Sequence, residues 1–395
     1  MAQRLAHVGT AASARASDAR RALEARGVAI VNLAIGEPDF PTPDHVIAAA
    51  HEAALRGETR YPPTTGTRHL KDAVIAAFLR NNGLHFGPEN IIVCTGAKQA
   101  IFNALCATID QGDTVVISPP AYASYADIVA LFGGKVVYVT PDAKLRLTPD
   151  ALAQAPGKTS RWLILNNPAN PSGVCYTKAE LQEFGRVLCD FPHVMIMSDE
   201  IYEHIIFDQI PFTAVATACP DLAPRTLTVN GVSKAYAMTG WRIGYAAGDA
   251  GLIAAMAKIQ SQATSGATSV AQAAAAAALN GPQTHIPSWV KTWQHRRDMA
   301  MNAFDTMQGL NMHRPEGAFY GFVDCKDLLG TITPAGEQIT TCDAFAKYLL
   351  HQAHVSVVAG AAYGMPGFIR ISFACADDDL ECGLAAIKRA SAALR

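Results

Sequence analysis

The chain has 395 residues, half of them hydrophobic, and a formal net charge of −2. That length exceeds one ordinary core, so two domains are expected, one large and one small. A charge so near neutrality offers no electrostatic footprint for nucleic acid or an anionic membrane surface, and no apolar run approaches the length of a membrane span.

Residues 1–27 carry arginine, alanine and serine but no apolar segment of the kind a secretory signal needs, and they read as an amphipathic helix. The nine cysteines are odd in number and form no CxxC pair. Cys94, Cys106, Cys189 and Cys375 sit singly in apolar contexts, as reduced thiols packed as small hydrophobes in a cytoplasmic protein would. No HExxH and no Cys/His ligand spacing accompanies them, so no metal is expected.

The stretch "GEPDFPTP" (36–43) is an extended linker with turns. From about residue 90 to 250, β-rich runs alternate with helical patterns: 91–95, 113–118, 135–140, 162–167, 193–200, 226–231 and 243–248. Several are apolar without alternation, as in strands buried on both faces of a parallel sheet. Between two of them, 177–191 is a helix in which Thr177 and Glu180 form a capping box, with Leu181, Phe184 and Leu188 on one face. After about 285 the pattern changes to a long polar-faced helix (287–307), a run "GAFYGFVDC", a helix over 341–353 and the strands of "VSVVAG" and "GFIRISFACA". The reading is α/β: a large domain (41–288) with a mostly parallel central sheet flanked by helices. A smaller α+β domain (289–395) follows, and an N-terminal segment (1–40) packs with it.

In open α/β sheets, ligands bind outside the carboxyl ends of the strands. After 91–95 come Gly96, Ala97 and Lys98, a glycine turn opening a helix, whose free N–H groups suit an anion; alone it is equally a tight turn. After 113–118, "PPAYASY" puts Tyr122 and Tyr125 on a loop, where an aromatic ring can stack on a planar ligand or simply pack. After 162–167, "NNPANPSG" is a rigid turn carrying the Asn170 amide. The run 193–200 ends on Asp199 and Glu200, with Tyr202 following; a carboxylate there must be solvated, cap a helix or pair with a cation. Strand 226–231 ends just before Ser233 and Lys234, and Arg242 precedes 243–248. A phosphate cradle, a flat aromatic, a carboxylate, a phenol, an amide, a lysine and an arginine at adjacent strand ends suit one ligand above others, pyridoxal 5′-phosphate. Its aldehyde condenses with a lysine amine and its ring nitrogen needs an acidic partner. Such a link explains a lysine among apolar neighbours, where a free ammonium is rare.

The motifs "LAIGEPDFPTP", "RYPPTTGTRHLKDA", "TGAKQAIF", "NNPANPSG", "SDEIYEH", "SKAYAMTGWRIGY", "RPEGAFY" and "FIRISFA" occur in order over nearly the whole chain. With them the sequence resembles the class I, fold type I pyridoxal-phosphate-dependent aminotransferases, close to the bacterial aspartate aminotransferase branch. The resemblance implies that Lys234 carries the cofactor and shuttles the substrate proton, that Asp199 keeps the pyridine nitrogen protonated, and that Tyr202 and Asn170 bond its ring oxygen. It further implies that Tyr122 stacks on the ring and that Gly96, Ala97, Lys98, Ser233 and Arg242 surround the phosphate. Arg370 clamps the substrate carboxylate in a bidentate fork, for which lysine is a poor substitute. Gly36 covers the same carboxylate, and Tyr61 reaches the phosphate of a neighbouring subunit, so a homodimer with shared sites is implied. One departure is Gly231, where many relatives carry a serine on the phosphate.

The implied activity is amino transfer between an L-amino acid and a 2-oxo acid, with aspartate-type and aromatic or neutral donors equally open. A β-eliminating C–S lyase can use the same lysine and fold, whereas an amino-acid-sensing transcription regulator has no room for its DNA-binding module before residue 33. A decarboxylase is disfavoured by the carboxylate clamp. A second carboxylate needs another cation, but Arg15, Lys291, Arg296, Arg297 and Arg314 are expected mostly on solvated faces.

Overall fold

A computed structural model describes residues 2–10 and 12–395. Its strands in chain order are β1 (Val31–Asn32), β2 (Ile91–Thr95), β3 (Thr114–Ile117), β4 (Lys135–Tyr138), β5 (Ser160–Asn166), β6 (Met195–Asp199), β7 (Thr226–Gly231), β8 (Ile243–Ala247), β9 (Asn311–His313), β10 (Tyr320–Asp324), β11 (Val355–Ser356), β12 (Val358–Ala359) and β13 (Phe368–Ser372). The central sheet has the order β2-β8-β7-β6-β5-β3-β4. Strands β7, β6, β5, β3 and β4 run parallel, while β8 is antiparallel to both its neighbours.

The direction of β8 follows from its connection. Only a short turn, Thr239–Trp241, and irregular chain separate it from β7, and a parallel neighbour would need a crossover of a dozen or more residues. The reversal has a consequence for the site. Thr95 at the end of β2 pairs with Ile243 at the start of β8, and Gly231 at the end of β7 pairs with Gly244. One edge of the sheet therefore carries the carboxyl ends of β2, β3, β5, β6 and β7 together with the residue preceding β8, Arg242.

Both faces of this sheet are covered, which is why its strands lack polar alternation. Ile92, Cys94, Val115, Ile117, Ile164, Met197 and Val229 pack with the helix Ala97–Thr108 on one face. The expected capping box opens the helix Lys178–Cys189: Thr177 accepts from the Glu180 N–H and Glu180 reaches back to the Thr177 N–H at 2.8 Å. All nine cysteines are free thiols, but Cys189, at the end of that helix, is exposed rather than packed.

The second sheet is antiparallel, β12-β13-β10-β9. β1 pairs in parallel with β11, and Leu33 and Val31 join the hydrophobic cluster of the small sheet and its helices. A helix runs unbroken from His285 to Phe304, so the division expected at 288/289 falls inside it. The small helix expected over 341–353 is Cys342–Tyr348 continued by a π turn, Leu349–Ala353.

Removing the hydroxyl of Thr177 tests how far local capping stabilises the large domain. Thr177→Ala should lower the unfolding free energy by about 1 kcal/mol, read by urea denaturation, with catalytic constants unchanged.

Candidate active site

The functional edge is a joint between backbone segments that only glycine permits. A Cβ on Gly96 (φ +81°) would lie 2.3 Å from the Arg242 guanidinium, and one on Gly244 would lie 2.1 Å from the Ala97 nitrogen. The start of helix Ala97–Thr108 is thereby pressed against β8, so the first free N–H groups of the helix and the Arg242 side chain share one corner. Arg242 has left-handed backbone (φ +57°) and is steadied by a bond from its guanidinium to the Thr239 carbonyl at 2.9 Å. A Cβ on Gly231 would meet Gly244 Cα and the Ile243 carbonyl, each at 3.0 Å. The close approach of β8 thus leaves little room for a serine there.

In front of this corner is a cavity of about 310 Å³. Ala97, Lys98, Tyr122, Asn170, Asp199, Tyr202, Ser233, Lys234, Arg242, Gly36 and Arg370 all line it. Gly96 lies just behind it as the N-cap of the helix. Tyr61 does not line it and is 94% exposed.

Lys234 Nζ donates to the Gly36 carbonyl at 2.6 Å and faces the rings of Tyr202 and Phe319. Burial, reinforced by the Arg370 charge, lowers its pKa to about 8. Asp199 is 5% exposed, and burial raises its pKa to about 6. Its carboxyl is neither solvated, nor a helix cap, nor ion-paired. It accepts from the Tyr125 hydroxyl at 2.6 Å and the Ile201 N–H at 3.3 Å. Tyr125, which the sequence reading left open between stacking and packing, sits one helical turn after Tyr122, in helix Ser124–Leu131, and the two rings meet edge-on at 5.4 Å. Glu200 is bonded to Ser198, away from Asp199 as strand alternation requires, and burial pushes it to about 8.

Tyr202 shares a hydrogen bond of 2.8 Å with Tyr320, and burial together with that phenol keeps it protonated. The "NNPANPSG" turn is held by its own amides: Asn166 accepts from the Asn170 N–H at 2.7 Å and Asn167 from the Tyr176 N–H at 2.9 Å. Asn170 Oδ1 accepts from Arg370 at 3.2 Å. Arg370 also donates to the Ala34 carbonyl at 2.5 Å and stacks on Tyr320 at 4.4 Å, yet its Nε is buried without a partner.

No ion pair joins Lys234, Asp199, Arg242 or Arg370 to anything among the described residues, although all four line one cavity. Arg242 is exposed, but Lys234, Asp199 and Arg370 are withdrawn from water, and buried charges left unpaired are costly, so the arrangement suits a ligand that brings the complementary groups. An anion fits the glycine corner, a basic ring nitrogen fits Asp199, a carbonyl fits the Lys234 amine and a carboxylate fits Arg370. Pyridoxal phosphate and an amino acid together carry that set.

Two arginines assigned to solvated faces are instead buried. Arg296 is 5% exposed and Arg297 not at all. Arg297 forks onto Asp208 at 2.7 and 2.9 Å, and Arg296 onto Asp39 at 2.8 and 2.9 Å. Periodicity marked their helix as polar-faced, but that face turns inward onto acidic partners remote in sequence.

Fold and site define a pyridoxal-phosphate-dependent transaminase of fold type I. The comparisons agree: residues 28–387 match the family described as aminotransferase class I and II, and the chain belongs to it. It is 46% identical over 391 residues to an aspartate aminotransferase of Rhizobium meliloti, covering 98% of this chain and 95% of that one. It is also 44% identical to the aspartate/prephenate aminotransferase of Cereibacter sphaeroides over 99% of this chain and 98% of that one. The crystal structure of the Rhizobium meliloti aspartate aminotransferase superposes with a TM-score of 0.96 at 45% identity, over 100% of this chain and 99% of that one. The Thermus thermophilus aspartate aminotransferase with maleate superposes with 0.91 at 34% identity, over 99% of each chain.

The Tyr125–Asp199 bond makes a measurable claim. Asp199 loses its charge as the pH falls through about 6, so cofactor affinity of the apoprotein should fall there. In Tyr125→Phe the carboxylate loses the donor that favours its charged form. The fall should begin at higher pH, with affinity at neutral pH weaker by roughly tenfold. Fluorescence titration between about pH 5 and 8 measures both, and an unmoved midpoint would refute the role.

Proposed function

We propose that the chain transfers the amino group of a dicarboxylic amino acid of the aspartate type to a 2-oxo acid, with pyridoxal phosphate on Lys234. The observation that carries this reading is the set of unpaired charges around one cavity. When bound, the cofactor supplies an aldehyde that condenses with amines and a ring that accepts electrons from the bond being broken.

The residues divide the work. Asp199, favoured in its anionic form by the Tyr125 hydroxyl, would hold a proton on the ring nitrogen. The helix N-terminus at Gly96, Ala97 and Lys98, with Ser233 and Arg242, would bind the phosphate. Tyr202 and the free amide N–H of Asn170 would donate to the ring oxygen, and Tyr122 would lie against the ring. Arg370 receives the α-carboxylate, its orphaned Nε gaining an acceptor, and Gly36 closes over it. Fixing the substrate at both ends orients the Cα–H bond towards Lys234. An amine with a pKa lowered to about 8 gives and takes that proton readily near neutral pH.

Substrate choice rests on Lys98. Its ammonium lies over the Tyr122 ring at 5.5 Å on the cavity wall and has no carboxylate partner among the described residues. While its N–H serves the phosphate, its side chain is the further cation that a second carboxylate requires. The names of the aspartate aminotransferase relatives favour the same donor. An aromatic aminotransferase from Pyrococcus horikoshii also superposes, at 35% identity and a TM-score of 0.83, so selectivity for the acidic donor is the point to measure.

We further assign residues 1–40 and 289–395 to one small domain acting on the large domain 41–288. The working unit in this reading is a cytoplasmic homodimer in which the exposed Tyr61 meets the neighbouring subunit.

Lys234→Ala should bind the cofactor without the absorbance of the covalent link and lose transamination, and retained turnover would overturn the assignment. Lys98→Met should raise KM for aspartate by roughly tenfold to a hundredfold while changing KM for a neutral donor little. Equal effects on both donors would place the second-carboxylate contact elsewhere. Release of pyruvate and ammonia from cysteine conjugates, in place of oxo-acid-dependent transfer, would identify a lyase.

A further inference from the structure

Residues 34–42 form a strap whose Ile35, Gly36 and Glu37 line the cavity, and two of its carbonyls hold charged groups of the site: Ala34 accepts from Arg370 at 2.5 Å and Gly36 from Lys234 at 2.6 Å. Positions 38 and 41 are prolines, which lack the donor a ladder needs. From Ile35 to Thr42 no backbone group pairs with another backbone group among the described residues. Side chains alone therefore fix where the Gly36 carbonyl sits, whereas the Ala34 carbonyl follows Leu33, whose backbone pairs with Ser356 and Ser372.

At one end the strap is tied to the lysine-bearing loop. Glu37 accepts from Thr239, Thr42 donates to the Ala237 carbonyl at 2.7 Å and Trp241 donates to Thr42 at 3.0 Å. At its middle it is tied to the small domain. Arg296 grips both oxygens of Asp39 while its Nε donates to Asp377 at 2.7 Å, at the start of the helix Asp377–Ala392. Phe40 stacks flat on Trp289 of the same helix as Arg296, at 4.6 Å and 6°. The Arg296 guanidinium lies over the Phe40 ring at 5.7 Å. A planar fork matched to one carboxylate fixes direction as well as distance, which a lysine cannot do.

We infer that Arg296 is a positioning residue for substrate binding: its fork on Asp39 sets the strap whose Gly36 carbonyl orients Lys234 in the cavity that Arg370 also lines. The inference rests on the transaminase reading for its kinetic consequence and on the structure alone for the mechanical one. Asp377 offers an internal control. It is a second carboxylate on the same guanidinium, 47% exposed against 25% for Asp39, but it does not belong to the strap.

The test compares Asp39→Asn with Asp377→Asn in the holoenzyme, each removing one charged partner from Arg296. Asp39→Asn should raise KM for aspartate by roughly tenfold with a smaller change in kcat. It should also quicken hydrogen exchange over residues 33–43 at unchanged thermal midpoint relative to Asp377→Asn. Asp377→Asn should leave both readouts within about twofold of the parent. A purely structural role predicts that the two variants behave alike, and that result, or unchanged exchange in Asp39→Asn, overturns the inference. If Asp39→Asn does not accumulate folded, Arg296→Lys keeps the charge, loses the fork and carries the same comparison. Quickened exchange in a protein that does not accept aspartate would sink the substrate reading and leave the clamp standing.

Discussion

Charges kept out of water without protein partners are the constraint around which this molecule is arranged. Lys234, Asp199 and Arg370 each lie in the wall of one cavity, each steadied by neutral hydrogen-bonding groups and none by an opposite charge. Neutral partners orient a charged group but do not cancel its desolvation. The fold therefore carries a cost that ligand binding offsets, as expected where binding energy is directed at reacting groups.

The rigidity needed to sustain that cost comes from backbone contacts rather than from loops. Two glycines, Gly96 and Gly244, let β8 and the helix Ala97–Thr108 meet more closely than side chains would permit, Gly231 does the same between β7 and β8, and the antiparallel turn of β8 returns Arg242 to the edge where the parallel strands end. The small domain reaches the same edge through β10 and β13, which bring Tyr320 and Arg370 against Tyr202 and Asn170. Arginine forks tie the two parts together: Arg146 joins Glu180 to Glu316, and Arg297 joins Asp208 to the helix His285–Phe304. In partly buried surroundings such forks are directional, so they fix angles that apolar packing alone would leave loose.

Much of this was legible because it is local. Apolar runs without alternation marked the parallel strands, and the Thr177–Glu180 spacing marked a helix start. The residue after each strand was a sound place to look for chemistry, because strand direction alone sets which edge collects the ends. The direction of β8 was not read from the sequence, which set 243–248 among the runs of a mostly parallel sheet; only the strand pairing shows that it runs antiparallel. Tyr125 was harder. Its spacing of three from Tyr122 puts both on one side of a helical turn, but nothing local says that a carboxylate from β6 waits above it.

The sequence by itself determined the class of protein, the order of the elements and which polar residues gather at the strand ends around one cavity, since these follow from short-range pattern and from residue type. Only the tertiary structure decided which charges are paired and which are left for a ligand. Arg296 and Arg297 looked solvated because a helix made polar by arginine reads the same whether it faces water or acids far along the chain. Their partners Asp39, Asp377 and Asp208 lie between about 80 and 260 positions away. Separation of that size is invisible to periodicity and is resolved only when the domains close on each other.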